Sequence, residues 1–248
     1  MAFETVAVLV VAPSVGSFLG VVIDRLPAGR PILVARSRCD TCGATLGPKN
    51  LLPVMSWLWQ RGRCAYCAAE LSTFYPNIEL AAFAVALSAA WVLSGWLLLT
   101  SCALGWTLLT LAAIDQRHLL LPDVLTLPLI ATGLVVAFAV DPALLMPHVV
   151  GALAGFAAFV AIAFAYRRLR RREGLGLGDA KLLAAAGAWL GWQALPGVVA
   201  VGAVCALAVA LARTVTGDRL SATTRIAFGS YLALAFWLAW LFGPVILA

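Results

Sequence analysis

Three observations predict an all-α membrane protein of about eight transmembrane helices, with one small cytoplasmic loop domain between the first and the second. The 248 residues are 63% apolar and only 11% charged, against about 45–50% and about 25% in an ordinary soluble domain. Eight apolar stretches follow one another along the chain, and the basic residues fall only in alternate connections. A mean hydropathy of +1.00 excludes a secreted disulfide scaffold and a disordered chain.

The apolar stretches run over 5–23, 78–93, 97–114, 124–140, 149–166, 182–195, 198–212 and 226–247. The first is not a cleavable signal, because it opens with Glu4 and its arginines follow the apolar run. Its Gly16, Ser17 and Gly20 share about one helical face and permit close helix packing. The stretches 78–93 and 182–195 are short for a span. Trp91, Trp96, Trp189 and Trp192 near helix ends read as interfacial anchors.

Charge supports the count independently. The 24–77 loop carries Arg25, Arg30, Arg36, Arg38, Lys49, Arg61 and Arg63, while 94–96 carries no basic residue. Arg117 lies in 115–123, and 141–148 again carries none. Arg167, Arg168, Arg170, Arg171, Arg172 and Lys181 occupy 167–181, the turn at Pro196 and Gly197 is uncharged, and Arg213, Arg219 and Arg225 occupy 213–225. With eight spans all 17 basic residues share one side, the cytoplasm by the positive-inside rule, and both termini face out. Basic residues spread over every inner loop in this way follow topology, so no nucleic-acid partner is expected. The lipid bilayer is the partner that composition demands, and the Arg167–Arg172 cluster reads first as a stop signal.

Residues 24–77 differ in kind from the rest, with five prolines and four of the six cysteines. Cys39 and Cys42 form one Cys-x-x-Cys knuckle, and Cys64 and Cys67 form a second after 21 residues. Paired knuckles of this spacing place four thiolates around one Zn2+, a closed site whose role is structural. Gly43 and Ala68 put a small residue after each knuckle, and Arg38 and Arg63 offset the site's negative charge. Disulfides are the competing reading, disfavoured by a reducing cytoplasm. Cys102 and Cys205 lie inside spans and read as packing.

Acidic residues in so apolar a chain are functional candidates. Glu4 and Asp141 fall on the outer face, and Asp24, Asp40, Glu70, Glu173 and Asp218 fall in basic loops where solvation or pairing accounts for them. Glu79, Asp115, Asp123 and Asp179 remain, all at cytoplasmic ends of spans. Asp115 ends Leu111-Ala-Ala-Ile-Asp115, and Asp179 follows Gly176-Leu-Gly178 and precedes Ala180-Lys181. Two carboxylates brought together at a low-dielectric edge share one proton, the arrangement with which an aspartic protease activates water and protonates its leaving group. Gly176 and Gly178 leave backbone exposed where an extended peptide would pair. The bland readings are helix capping by Asp179 and pairing of Asp115 with Arg117. The run from Gly174 to Asp179 fails as a dinucleotide fingerprint, because its sixth position is Asp and it follows a span. His118 and His148 fall on opposite faces, which excludes a site between them.

These residues together resemble the type IV prepilin leader peptidases, membrane aspartic proteases of the Gly-x-Gly-Asp class that usually also act as N-methyltransferases. The resemblance covers nearly the whole chain. It includes Gly16-Ser-Phe-Leu19, Val21-Val-Ile-Asp-Arg-Leu-Pro27, both knuckles, Leu52-Pro-Val-Met-Ser-Trp-Leu58 and Arg61-Gly-Arg-Cys64. It continues through Tyr75-Pro-Asn-Ile-Glu79, Asp115, Leu121-Pro-Asp123, Gly176-Leu-Gly-Asp-Ala-Lys-Leu182 and Ala227-Phe-Gly229. Gly20 stands where Asn is usual, Phe74 where Arg is usual, and Ala227 and Ser230 where prolines are usual.

The resemblance implies a bacterial inner-membrane enzyme that cuts the short basic leader of prepilins or pseudopilins at the cytoplasmic edge. Asp115 and Asp179 are then the catalytic pair, with Asp123, Gly176, Gly178, Lys181 and Glu79 accessory. It also implies methylation of the new N-terminus from S-adenosylmethionine, with Glu79 holding that terminus and no assigned cofactor-binding residues. The expected division is 1–23 as the first helix, 24–77 as the zinc domain associated with methylation, and 78–248 as a seven-helix peptidase domain. A peptidase alone, using the zinc loop for docking, and a non-catalytic zinc-bearing scaffold of a secretion or pilus system are the alternatives.

Overall fold

The computed structural model describes residues 3–33, 37–39, 41–171, 176–216 and 226–246. Arg36, Asp40, Arg172, Glu173, Gly174, Asp218, Arg219 and Arg225 lie outside the described residues. The described fold is helical, with two isolated bridges and no strand among those residues. The helices are α1 (Phe3–Arg25), α2 (Met55–Trp59), α3 (Phe74–Val92), α4 (Gly95–His118), α5 (Asp123–Val140), α6 (Leu145–Arg170), α7 (Leu177–Leu190), α8 (Leu195–Val215) and α9 (Phe228–Ile246). Apart from the short α2, each overlaps one of the eight apolar stretches, but α7 begins five residues before the stretch 182–195 and ends five before its close.

Among the described residues, six segments are long and apolar enough to cross a membrane: α1, α3, α4, α5, Pro142–Arg170 and Trp192–Val215. The 14 residues of α7 reach about 21 Å, short of a hydrocarbon core of about 30 Å. The chain divides into two compact units, residues 1–110 and 111–248.

In the first unit α1 packs on α3. Small residues make this possible: a Cβ on Gly16 would lie 2.5 Å from the Glu79 Cα, and one on Gly20 would lie 2.8 Å from the Tyr75 ring. Ser17, on the same face, donates its hydroxyl to Glu79. The Trp106 indole donates to the Ala82 carbonyl at 3.0 Å, which ties α4 to α3.

In the second unit α7 is the central element. Asp179, Ala180 and every residue from Leu182 to Trp189 are buried, and α7 packs on α6, α5 and α9. A helix apolar on all sides belongs in such an interior. The contact with α6 is made backbone to backbone, because Gly187 faces the Gly151 carbonyl and a Cβ on Gly155 would lie 2.8 Å from the Leu183 carbonyl oxygen. Trp189 differs from the interfacial anchor expected of it. It is 4% exposed, seated in the space left by Gly133, and its indole donates to the Leu129 carbonyl at 2.8 Å. Trp91, Trp96 and Trp192 are exposed.

Candidate active site

Asp115 lies in the last turn of α4, which ends where Leu119 adopts a left-handed φ of 51° and donates its N–H to the Asp115 carbonyl. Asp179 is the third residue of α7. Each side chain is held by a different element. The Asp115 Oδ2 accepts the Ser230 N–H at 2.9 Å and lies 3.3 Å from the Ser230 hydroxyl. That hydroxyl also donates to the Ala112 carbonyl at 2.8 Å, so Ser230 joins the first turn of α9 to the end of α4 twice. The Asp179 Oδ2 accepts the Gly176 N–H at 3.3 Å, while the Asp179 N–H donates to the Gly176 carbonyl at 3.2 Å. Gly176, not Asp179, is the N-cap of α7; Asp179 serves the start of the helix from its third position with one oxygen, and its other oxygen points elsewhere.

That other oxygen converges with Asp115. A Cβ built on Gly229 would lie 2.9 Å from the Asp115 Oδ2 and 2.9 Å from the Asp179 Oδ1. Two carboxylates 64 residues apart in sequence thus meet beside one glycine. Both are nearly buried, at 5% and 9% exposure. A side chain at 229 would fill the space where the two oxygens approach, and the bare backbone keeps it open.

Leu121 walls this space, lying 2.9 Å from the Cβ positions of both Gly178 and Gly229. Gly178 is already inside α7, so its lack of a side chain admits Leu121 rather than presenting extended backbone. Gly176, ahead of the helix, is the extended and exposed member of the pair. Asp123, at the start of α5, stands outside the pair and accepts from Lys181 Nζ at 2.6 Å. Their side chains are 57% and 27% exposed, so the bridge is worth at most about 1 kcal/mol and mainly sets α5 against α7.

Glu79 belongs to the first unit, where both of its oxygens are engaged. Oε1 accepts from Ser17 and Oε2 accepts the Val54 N–H at 2.6 Å. Val54 holds a φ of 57°, strained for a β-branched residue, and the carboxylate bond helps hold it there.

The four cysteines come together in the same unit. The sulfurs of Cys39, Cys42, Cys64 and Cys67 all lie within 4.8 Å of one another, and those of Cys39 and Cys67 are 3.9 Å apart. Tetrahedral ligands about 2.3 Å from one ion stand about 3.8 Å from each other, so the donor set fits a metal. The two knuckles repeat one design. Cys39 and Cys64 each donate N–H to the carbonyl five residues on and accept from the N–H four residues on. Gly43 and Ala68 take the same left-handed turn, at φ 69° and 56°. Arg38 bridges Thr45 as Arg63 bridges Glu70.

The crowding divides the thiols in acidity. The backbone amides of Cys42 and Thr41 pull Cys39 down to about 6. The Ala69 amide favours the Cys67 thiolate, yet burial and the neighbouring sulfurs outweigh it and push Cys67 up to about 11. A dication bound in the middle would be held by these sulfurs as thiolates.

Ser230 and Gly229 are the site residues that residue-level reasoning did not single out. Phe228-Gly229 drew notice as a motif, but nothing local to α9 points toward a carboxylate in α4.

Comparisons with known proteins identify the family. Residues 10–93 match the family model of the bacterial peptidase A24 N-terminal domain, and residues 102–211 match that of the type IV leader peptidase family. The prepilin leader peptidase/N-methyltransferase of Aeromonas hydrophila is 38% identical, over 94% of this chain and 88% of its own. That of Dickeya chrysanthemi is 40% identical over 92% and 89%, and that of Burkholderia pseudomallei strain 1026b is 42% identical over 85% and 68%. No solved structure matches the chain.

Proposed function

The chain belongs to the type IV leader peptidase family, and we propose that it cleaves the leader of prepilin-like proteins with Asp115 and Asp179 and methylates the new N-terminus. The observation that carries the reading is the convergence of the two carboxylates beside Gly229. One of the pair, ionised, takes a proton from water as that water attacks the scissile carbonyl. The other, protonated, gives its proton to the carbonyl oxygen, and as the tetrahedral species collapses the first carboxyl passes the proton taken from water to the leaving amine while the second recovers its own. Ser230 fixes the Asp115 carboxylate, Gly176 fixes that of Asp179, and burial excludes competing water. The Asp123–Lys181 bridge holds the mouth of the site.

The apolar helices and the relatives support a multi-pass inner-membrane protein. The arginine-rich connections support a cytoplasmic site with both termini outside. In the 24–77 domain, Cys39, Cys42, Cys64 and Cys67 hold Zn2+ as a structural ion. Glu79 anchors that domain to α1 and α3 through Ser17 and Val54.

S-adenosylmethionine is the donor that methylation requires. Neither the cleft of about 550 Å3 lined by Phe164, Arg167, Arg168 and Arg171 nor that of about 380 Å3 lined by Lys49, Asn50, Leu52, Ser56, Trp59 and Gln60 offers a carboxylate for its ribose hydroxyls. These clefts do not fit that cofactor.

The test is the N-terminal mass of a prepilin-like substrate co-expressed with the protein. Loss of the leader plus the mass of one methyl group is the expected result. Cleavage without methylation leaves the peptidase alone, and an intact leader overturns the reading.

Ser230→Ala removes the hydroxyl but keeps the N–H bond to Asp115. Cleavage is expected to fall by about tenfold or less, the worth of one hydrogen bond of about 1 kcal/mol. The rate in a reconstituted assay checks it, and Ser230→Thr, which keeps a hydroxyl, should recover activity.

A further inference from the structure

We propose that the segment 51–59 of the cysteine-bearing loop is a membrane anchor, seated in the headgroup layer of the bilayer. The inference rests on α3 crossing that bilayer. With 19 residues α3 reaches about 28 Å, which leaves nothing to spare against about 30 Å of hydrocarbon. Its first turns therefore coincide with the interface. Glu79 is the sixth residue of α3, about 7.5 Å in from Phe74, and its Oε2 accepts the Val54 N–H. That bond draws the loop down to interfacial depth.

What the loop presents on either side of Val54 is apolar. Leu51, Leu52, Met55, Leu58 and Trp59 are between 45% and 69% exposed. Within α2, Met55, Leu58 and Trp59 fall at positions i, i+3 and i+4 and share one face. Trp57 turns the other way, its ring against Gly62. So many large side chains left in water would be an unusual patch for a soluble loop.

The surroundings select a bilayer as the occupant. Lys49, Arg61 and Arg63 flank the segment and no carboxylate lies between 49 and 63, which complements anionic headgroups. An indole at the edge of such a patch has the preference for the membrane–water boundary that aromatic belts show. The patch is also continuous in depth with the exposed side chains of Tyr75 and Leu80 at the start of α3.

The test uses the full chain, with 5-fluorotryptophan at its nine tryptophan positions, in nanodiscs of phosphatidylethanolamine and phosphatidylglycerol. Trp59→Phe and Trp91→Phe assign the two fluorine resonances that matter. A lipid nitroxide placed near the headgroup is expected to broaden the Trp59 signal at least as strongly as that of Trp91, and an aqueous gadolinium chelate to leave it sharper than a free indole. Broadening of Trp59 by gadolinium alone, with Trp91 still sensing the lipid label, overturns the anchor while leaving α3 as a span. If Trp91 also fails to sense the lipid label, the span itself is wrong and the anchor falls with it. Protection of Trp59 that arises only when a prepilin peptide with its apolar helix is added makes the face a substrate-docking surface and overturns the proposal.

Discussion

Asp115→Asn and Asp179→Asn each lower leader cleavage by at least about a hundredfold and up to about ten-thousandfold, the range over which positioned acid–base groups contribute. The double substitution is no worse than either single one, because two groups that act as a unit lose their joint function once. Asparagine keeps the shape of the side chain and can still accept from Ser230 or Gly176 through its carbonyl oxygen. The fold should therefore survive. The measurement is the N-terminal mass of the substrate against each variant, with bound metal assayed alongside as a check that the cysteine knuckles remain formed. A non-catalytic scaffold predicts an unchanged phenotype for both variants, and cleavage that persists through the double substitution would sink the diaspartyl mechanism.

Removal of the metal should have the second largest effect, and a different one. Two knuckles with only isolated bridges between backbone segments have little apolar core of their own. A structural zinc site of this type contributes about 10–16 kcal/mol of apparent binding energy at neutral pH. The purified protein should contain one zinc per chain by elemental analysis. Chelation or Cys39→Ser should open residues 37–71 to proteolysis and abolish methylation. Peptide cleavage should decline less, since the carboxylate pair is built from α4, α7 and α9. Equal loss of both activities would argue instead that the loop serves the peptidase step directly. Resistance of the 37–71 region to protease after complete metal removal would show that the site is not structural.

Much of this protein is legible because the membrane writes its demands in composition. Each of the eight stretches read from hydropathy overlaps one of α1 and α3 through α9, although 182–195 begins inside α7 and runs past its end, since a bilayer-facing helix must be apolar over its length whatever its neighbours are. The short stretch 182–195 was legible as apolar but not as central. Its alanines and glycines admit α5 and α6 at backbone distance, a property of the neighbours' surfaces as much as of α7. Trp189 was misread for the same reason. An aromatic near a helix end suggests the interface, but Gly133, 56 residues earlier, is what gives the ring its buried seat.

The clustering of the four cysteines was legible in the sequence, because two-residue spacing within a knuckle leaves the sulfurs little choice. Its internal duplication was not, since Gly43 and Ala68 share a backbone conformation rather than a residue type.

Helix content, the cysteine cluster and the candidate carboxylates were set along the chain, where local composition and short spacings decide. Which carboxylates meet was not set there. Asp115 and Asp179 come together only because Gly229, Leu121 and Ser230 arrive from α9 and the α4–α5 connection to shape the space between them. Glu79 and Asp123, equal candidates by depth and charge, were drawn off to Val54 and Lys181. A carboxylate's role follows from which donors and charges surround it in three dimensions, and those come from helices distant in sequence, brought to it by packing.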